Sequence, residues 1–400
     1  MHPIPTLHDG LRLADWTQTM KRSVLRDMIA VVSRPGILSL AGGLPAPELF
    51  PTDAFAQAAS HVLATDPRAL QYSPPFPALK AHIVDLVAQR GVSCTKNEVF
   101  ITTGAQQGLD VLARLFLNPG GQVLVEETVY TGLQQVIAPF QPEILTVPTD
   151  LETGMDVDAV EALLREGARP AFIYVIPDAH NPLGVSMSAE KRRHLVELVR
   201  RYAVPIIEDD PYGFLCYEQR PEPPLRTLDN EWVFYLGSFS KILAPAVRTG
   251  WMIAPEALIP KLTVIKEASD LESSAFMQRA ISAFLDAGHL PGHLATLCRE
   301  YGTRRDTMLR ALHECFPAEA RWTRPTSGMF IWVELAPGTD TAALLTRAVE
   351  QEQVAFIPGH AFAVEGRSHA SHCLRLNFSN ATPERIEEGI QRLARVIRRE

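Results

Sequence analysis

Lys241 follows an apolar run in WVFYLGSFSKILAPAVRTGWM, with Ser238 and Ser240 just before it and Arg248 seven residues after it. A lysine at the end of a buried strand can condense with a carbonyl when desolvation or neighbouring cations remove its proton near neutral pH. The hydroxyl of Ser238 and the guanidinium of Arg248 are groups that hold a phosphate. VPIIEDDPYGFL places Glu208, Asp209 and Asp210 at the end of another apolar run, with Tyr212 just beyond. Three carboxylates there suit a metal, a protonated ring nitrogen or a solvated cluster, and no histidine pattern favours the metal. In FITTGAQQGLDVLARLF, Gly104 turns a strand into a helix whose first residues, Ala105 and Gln106, present free N–H groups to an anion. The segment is neither GxxxxGK[ST] nor GxGxxG. AFIYVIPDAHNPLG ends in a turn at Asn181. Arg375 lies among apolar residues in CLRLNFS, and a buried guanidinium wants a carboxylate from the protein or a ligand.

Each motif alone has an ordinary structural use as a turn, a charge cluster or a surface lysine. As one set, Gly104, Asn181, Asp209, Lys241, Arg248 and Arg375 meet the needs of pyridoxal 5′-phosphate. That cofactor needs an amine for its aldehyde, a carboxylate for its ring nitrogen, donors for its phenolate and a cationic cradle for its phosphate.

Strands must bring these groups together. The apolar and β-branched runs predict strands over 98–102, 122–126, 144–147, 171–176, 205–208, 232–237 and 250–254, alternating with amphipathic helical stretches. That is the pattern of an α/β fold, in which ligands bind at the carboxyl ends of the strands. We expect a large domain with a mostly parallel seven-stranded sheet flanked by helices. The segment to about Ser33 is polar, and GILSLAGGLPAPELFP reads as an arm and loop. KLTVIKEASDLESSAFMQRAISAFL predicts one long linking helix, on which Phe276 and Met277 either line the pocket or pack the helix. MFIWVEL, VAFIP, CLRLNFS and the helices beside them predict a smaller α+β domain from the N- and C-terminal segments. The expected division is 1–47, 48–285 and 286–400.

At 46% hydrophobic and 21% charged, the 400-residue chain can bury a core, which excludes a disordered or coiled-coil protein. A net charge of -8 gives no general attraction to nucleic acid or anionic lipid. Five scattered cysteines without a C-x-x-C pair fit a reducing compartment. With no leader pattern and no long apolar span, the expectation is a cytoplasmic protein with neither nucleic-acid nor membrane partners. His360, His369, His372 and Cys373 fit no standard zinc spacing, so no metal is expected.

RPGILSLAGGLPAPELFP, LQYSP, ITTGAQQGLD, IPDAHNPLG, EDDPY, YLGSFSKILAPAVRTGW, SGMFIWVEL and LRLNFS together resemble the fold type I pyridoxal-phosphate aminotransferases of class I/II, from about Arg26 to the C-terminus. The likeness is greatest to the 2-aminoadipate and kynurenine aminotransferase subgroup. The resemblance implies that Lys241 bonds to the cofactor aldehyde and then serves as the proton-transferring base. It implies that Asp209 pairs with the pyridine nitrogen, Asn181 and Tyr212 donate to the ring 3′ oxygen, and Tyr130 stacks on the ring. Phosphate falls to Gly104, Ala105, Gln106, Ser238, Ser240 and Arg248, with Tyr72 reaching it from the neighbouring subunit of a homodimer with shared active sites. Arg375 grips the substrate α-carboxylate, Asn181 and Gly43 approach the same substrate, and Arg26 matches a position used for side-chain carboxylates.

Three features depart from the family pattern. The loop after Tyr72 is short and Pro-rich, the usual NPTG reads Asn181, Pro182, Leu183, Gly184, and His180 replaces a glutamine. The first is expected to reshape the pocket wall, the other two to bear on which side chain is accepted. The expected reaction is ping-pong transfer of an amino group from a 2-aminoadipate-like, aromatic or large aliphatic L-amino acid to a 2-oxo acid, foremost 2-oxoglutarate. A lyase, decarboxylase or racemase on the same scaffold, or an amino-acid-sensing regulatory domain, are the alternatives.

Overall fold

The computed structural model describes residues 13–18, 36–218, 221–364 and 370–398. In chain order its strands are β1 (Leu38–Ser39), β2 (Val99–Thr102), β3 (Gln122–Glu126), β4 (Glu143–Val147), β5 (Thr149–Asp150), β6 (Gly154–Met155), β7 (Ile173–Val175) and β8 (Ile206–Asp209). They continue with β9 (Val233–Ser238), β10 (Gly250–Ile253), β11 (Arg321–Trp322), β12 (Phe330–Glu334), β13 (Val354–Ala355), β14 (Ile357–Pro358) and β15 (Cys373–Asn377).

All seven predicted core strands enter one sheet, in the order β2-β10-β9-β8-β7-β3-β4. Apart from the edge strand β4, their residues are almost all buried, as strands covered by helices on both faces must be. Only β10 runs antiparallel to its neighbours. This reversal serves the site: it sets the start of β10 beside the carboxyl ends of β2 and β9, with Gly250 opposite Thr102 and Ser238. Arg248, two residues before Gly250, therefore arrives at the edge where Gly104 and Ser238 stand.

A second sheet, β11-β12-β15-β14, is antiparallel and carries Arg375 at its centre, between Trp332 and Ile357. The N-terminal segment joins this unit, since β1 pairs with β13. The helix Leu290–Cys315 packs along the C-terminal helix Pro383–Ile397. The fold is thus α/β, with a large, mostly parallel sheet and a smaller α+β unit.

One expectation fails. The single helix predicted from KLTVIKEASDLESSAFMQRAISAFL is two, Ile259–Asp270 and Ala275–Asp286. Leu271 adopts φ 60°, and Ser274 caps the second helix by accepting the Met277 N–H, so the helix breaks although the apolar period continues. The break has a use. Both carboxylate oxygens of Glu272 accept the Ser73 N–H, at 2.9 and 3.0 Å, and Gln278 Oε1 accepts the Phe76 N–H at 2.8 Å, holding down the Pro-rich loop after Tyr72. Asp270 accepts from the Thr103 hydroxyl at 2.7 Å, bracing the turn at Gly104. Phe276 and Met277 do not line the cavity described below.

Candidate active site

A cavity of about 300 Å³ opens at the carboxyl edge of the large sheet, facing the smaller unit. Most of the residues singled out from sequence line it, and each arrives on an identifiable element.

At one end, the helix Ala105–Phe116 starts at Gly104, and its first intrahelical bonds come from the Gln107 and Gly108 N–H groups. The Ala105 and Gln106 N–H groups precede these bonds and border the cavity. Gly104 has φ 85°, and a Cβ there would lie 2.5 Å from Arg248 Nη2. Only glycine accepts both the backbone conformation and the guanidinium lying across it. Arg248 is anchored by the Thr103 carbonyl at 3.1 Å. Ser238 closes the group: its Oγ accepts the Ser240 N–H at 3.0 Å, leaving the hydroxyl hydrogen free to donate. Ser240 Oγ lies 3.5 Å from Arg248 Nη1. Two backbone donors, a hydroxyl and a guanidinium make a dianion cradle. Gly104→Ala should therefore weaken cofactor binding at least tenfold, because two required features go at once. An unchanged Kd, read by fluorescence titration with pyridoxal phosphate, would show that the turn does not serve the phosphate.

The three carboxylates of EDD diverge. Glu208 turns back to accept the Leu225 and Arg226 N–H groups, at 2.7 and 2.9 Å. Burial pushes its carboxyl up to about 8. Asp210 accepts from the Tyr235 hydroxyl at 2.8 Å and the Gly213 N–H at 2.7 Å, and lies 3.5 Å from Arg90 Nη2. Asp209 alone lines the cavity. Its Oδ2 accepts the Tyr174 hydroxyl at 2.8 Å, while Oδ1 is buried without a partner among the described residues. Burial raises Asp209 to about 6, the Tyr174 hydrogen bond opposing and Asp210 reinforcing the shift. An orphaned carboxylate oxygen at a cavity wall calls for a cationic donor from a ligand.

Lys241 is partly buried, and its Nζ donates to the Gly43 carbonyl at 2.8 Å. Burial lowers its amine to about 8, with the charges of Arg375 and Arg248 adding to the effect. An amine poised there is a nucleophile near neutral pH. Arg375, 2% exposed, lies 4.1 Å from the Phe330 ring centroid and 4.7 Å from that of Phe362. It donates to Asn181 Oδ1 at 2.8 Å and to the Ala41 carbonyl at 2.7 Å, and meets no carboxylate among the described residues. Burial lowers it to about 10. A guanidinium without a protein counter-ion is the group to receive a substrate carboxylate. Gly43 is required by Phe330, whose Cζ would lie 2.9 Å from a Cβ at that position.

Tyr130 borders the cavity, its hydroxyl donating to Gln106 Oε1 at 3.1 Å while the Gln106 amide donates to the Gly132 carbonyl at 2.9 Å. Burial pushes the Tyr130 hydroxyl up to about 12. Tyr212 is buried beside it, its hydroxyl raised by the same cause.

Other expected residues lie elsewhere. Tyr72 is 75% exposed and borders a different cavity, of about 510 Å³. Arg26 and His369 lie outside the described residues. His180 and Leu183 do not line the active-site cavity. His180 Nε2 lies 3.0 Å from Glu126 Oε2, both side chains being buried, and Leu183 packs into the core. Sequence reasoning missed Tyr174, Phe330 and Phe362. Phe330 lay in plain view in SGMFIWVEL, but no spacing ties it to Arg375, 45 positions away. Among the described residues no group of three or more histidine, cysteine or acidic side chains is arranged to hold a metal. None of their helices is long and apolar enough to cross a membrane.

The residues present fit pyridoxal phosphate: the orphaned Asp209 oxygen suits a protonated ring nitrogen, the Gly104 cradle a phosphate and Lys241 an aldehyde.

Comparison with known proteins bears on this reading. The sequence model of a family described as aminotransferase class I and II matches residues 37–393. Aromatic-amino-acid aminotransferase 1 of Thermococcus litoralis is 38% identical over 405 residues, covering 99% of this chain and 96% of the relative. The solved structure of Pyrococcus horikoshii kynurenine aminotransferase superposes with a TM-score of 0.91 at 37% identity, covering 97% of each chain. The α-aminoadipate aminotransferase of Thermus thermophilus, solved with N-(5′-phosphopyridoxyl)-L-leucine, gives a TM-score of 0.89 at 37% identity, covering 96% of this chain and 97% of that one.

Proposed function

The chain belongs to the class I and II aminotransferases, and from that premise we propose that it moves the amino group of a 2-aminoadipate-like, aromatic or large aliphatic L-amino acid to a 2-oxo acid, foremost 2-oxoglutarate. It is a pyridoxal-phosphate-dependent amino-acid transaminase; the choice of substrates and the residue roles are our reading. The observation that carries the roles is one cavity bordered by a lysine amine, a carboxylate oxygen and a buried guanidinium, the last two without partner or counter-ion among the described residues.

In this reading Ser238, Arg248 and the N–H groups of Ala105 and Gln106 hold the phosphate, with Gly104 giving them room. Asp209 holds the ring nitrogen, Asn181 and Tyr212 donate to the 3′ oxygen, and Tyr130 covers a ring face. When bound there, the cofactor supplies an electron sink for the charge left at the substrate Cα. The chain supplies position and proton transfer. Arg375 takes the α-carboxylate on its paired N–H groups and so fixes the direction of the Cα–H bond. Lys241 Nζ accepts the Cα proton of the amino acid, and in the return half-reaction gives a proton to the Cα of the 2-oxo acid. An amine near 8 exchanges a proton in both directions at neutral pH.

The reading includes a homodimer, in which Tyr72 reaches the neighbouring subunit's phosphate. Its support is the exposed apolar set Leu70, Tyr72, Val264 and Leu271. A cytoplasmic setting and the division at 47/48 and 285/286 belong to the same proposal.

A substrate panel scored by kcat/KM tests the function. With 2-oxoglutarate as acceptor, 2-aminoadipate, aromatic and large aliphatic donors should outrun alanine, and turnover should stop when the acceptor is withheld. Release of pyruvate or carbon dioxide without an acceptor would overturn transamination.

A further inference from the structure

Tyr174 stands on β7, one strand away from Asp209 on β8, and only 1% of it is exposed. Its Cα partner across the ladder is Ile207, so its side chain reaches two positions along β8 to meet the carboxylate. Its hydroxyl donates to Oδ2 at 2.8 Å, leaving Oδ1 without a partner among the described residues. A carboxylate held at the end of its side chain by nothing else can rotate and present either oxygen or none. A phenol fixed in a packed sheet removes that freedom.

We propose that Tyr174 is a positioning residue for the cofactor: its hydroxyl locks the Asp209 carboxylate so that Oδ1 is the oxygen presented to the ring nitrogen. The inference rests on the reading of Asp209 given above. Tyr174 touches neither cofactor nor substrate and acts only through Asp209. The hydrogen bond also stabilises the ionised carboxylate against burial, which raises Asp209.

The molecule contains its own control. Tyr235, also fully buried, donates at 2.8 Å to Oδ2 of Asp210, which follows β8 and does not line the cavity. Tyr174→Phe and Tyr235→Phe each remove one buried hydroxyl from one buried carboxylate, although Asp210 keeps the Gly213 N–H and Arg90. Only the first change touches the carboxylate that faces the cavity.

The experiment titrates the visible absorbance of each holoenzyme against pH, and measures pyridoxal-phosphate Kd and the kcat and KM of one good donor. Tyr174→Phe should raise Kd and lower kcat by roughly tenfold, the effect of one hydrogen bond to a charge, while KM holds. It should displace the midpoint of the absorbance titration; Tyr235→Phe should leave Kd and midpoint as in the wild type. Equal behaviour of the two variants, whether both shift or neither does, overturns the proposal. Asp209→Ala separates this failure from failure of the underlying reading. If Asp209→Ala leaves Kd and spectrum intact, Asp209 does not serve the ring. If it abolishes them while Tyr174→Phe does nothing, the Tyr174 role alone is wrong.

Discussion

Lys241→Ala should yield a folded protein that no longer shows the absorbance of covalently held pyridoxal phosphate and turns over at least about 10⁴-fold more slowly, the upper range for a single general base. The loss is large because one atom, Nζ, carries both the bond to the cofactor and the proton at Cα. The structure adds a pH dependence. Burial, then Arg375 and Arg248, depress the amine from 10.5 to about 8. Capture of added pyridoxal phosphate by the cofactor-free protein should therefore accelerate as pH rises through about 8 and then level off, since only the neutral amine attacks. The sign for stability follows: between about 8 and 10.5 the unfolded chain holds the proton that the folded one has lost, so this group favours folding more as pH rises across that window. Wild-type spectra and normal turnover in Lys241→Ala, or capture that slows with rising pH, would remove Lys241 from its assigned place.

Arg375→Ala should lower kcat/KM by roughly 10²- to 10³-fold for every amino acid and every 2-oxo acid, mainly through KM, as expected when one partner of a buried charge pair is removed. The uniformity is the discriminating part. A guanidinium that holds the α-carboxylate is blind to the side chain, whereas one that reads the side chain would spare apolar substrates. The assignment fails if only acidic donors suffer. Arg375 also donates to Asn181 Oδ1 and the Ala41 carbonyl, and its plane lies against Phe330 and Phe362. Arg375→Lys should restore little of the loss, because an ammonium supplies neither the paired N–H groups nor the flat surface. The absorbance of the alanine variant should shift as well, since Asn181 loses the donor that orients it.

The placement of Arg375 shows how the two units make one site. It belongs to β15 in the small sheet, yet it donates to Asn181, on the loop after β7 of the large sheet, and to Ala41, beyond β1. The N-terminal segment is drawn in by the same cations, with Gly43 accepting from Lys241 and Ala41 from Arg375. Segments far apart in sequence thus depend on each other for their hydrogen bonds.

The seven core strands were legible because strands buried on both faces must be apolar along their whole length, and turn residues bound them. The chemical residues were legible for a related reason: charged and hydroxyl groups where apolar runs end are costly unless the protein or a ligand pairs with them. Periodicity could not reveal the break at 271–274, because the apolar spacing continues across it; φ 60° at Leu271 and the Ser274 cap are settled by the loop and turn packed against the break. Nor could it choose among Glu208, Asp209 and Asp210. The strand period sets Asp209 opposite its neighbours, but which side meets the cavity depends on where the small unit docks. Nothing in the local pattern singled out Tyr174, Phe330 and Phe362. Their actual uses rest on contacts between strands and loops distant in sequence, which a local pattern does not encode and only the packed fold decides.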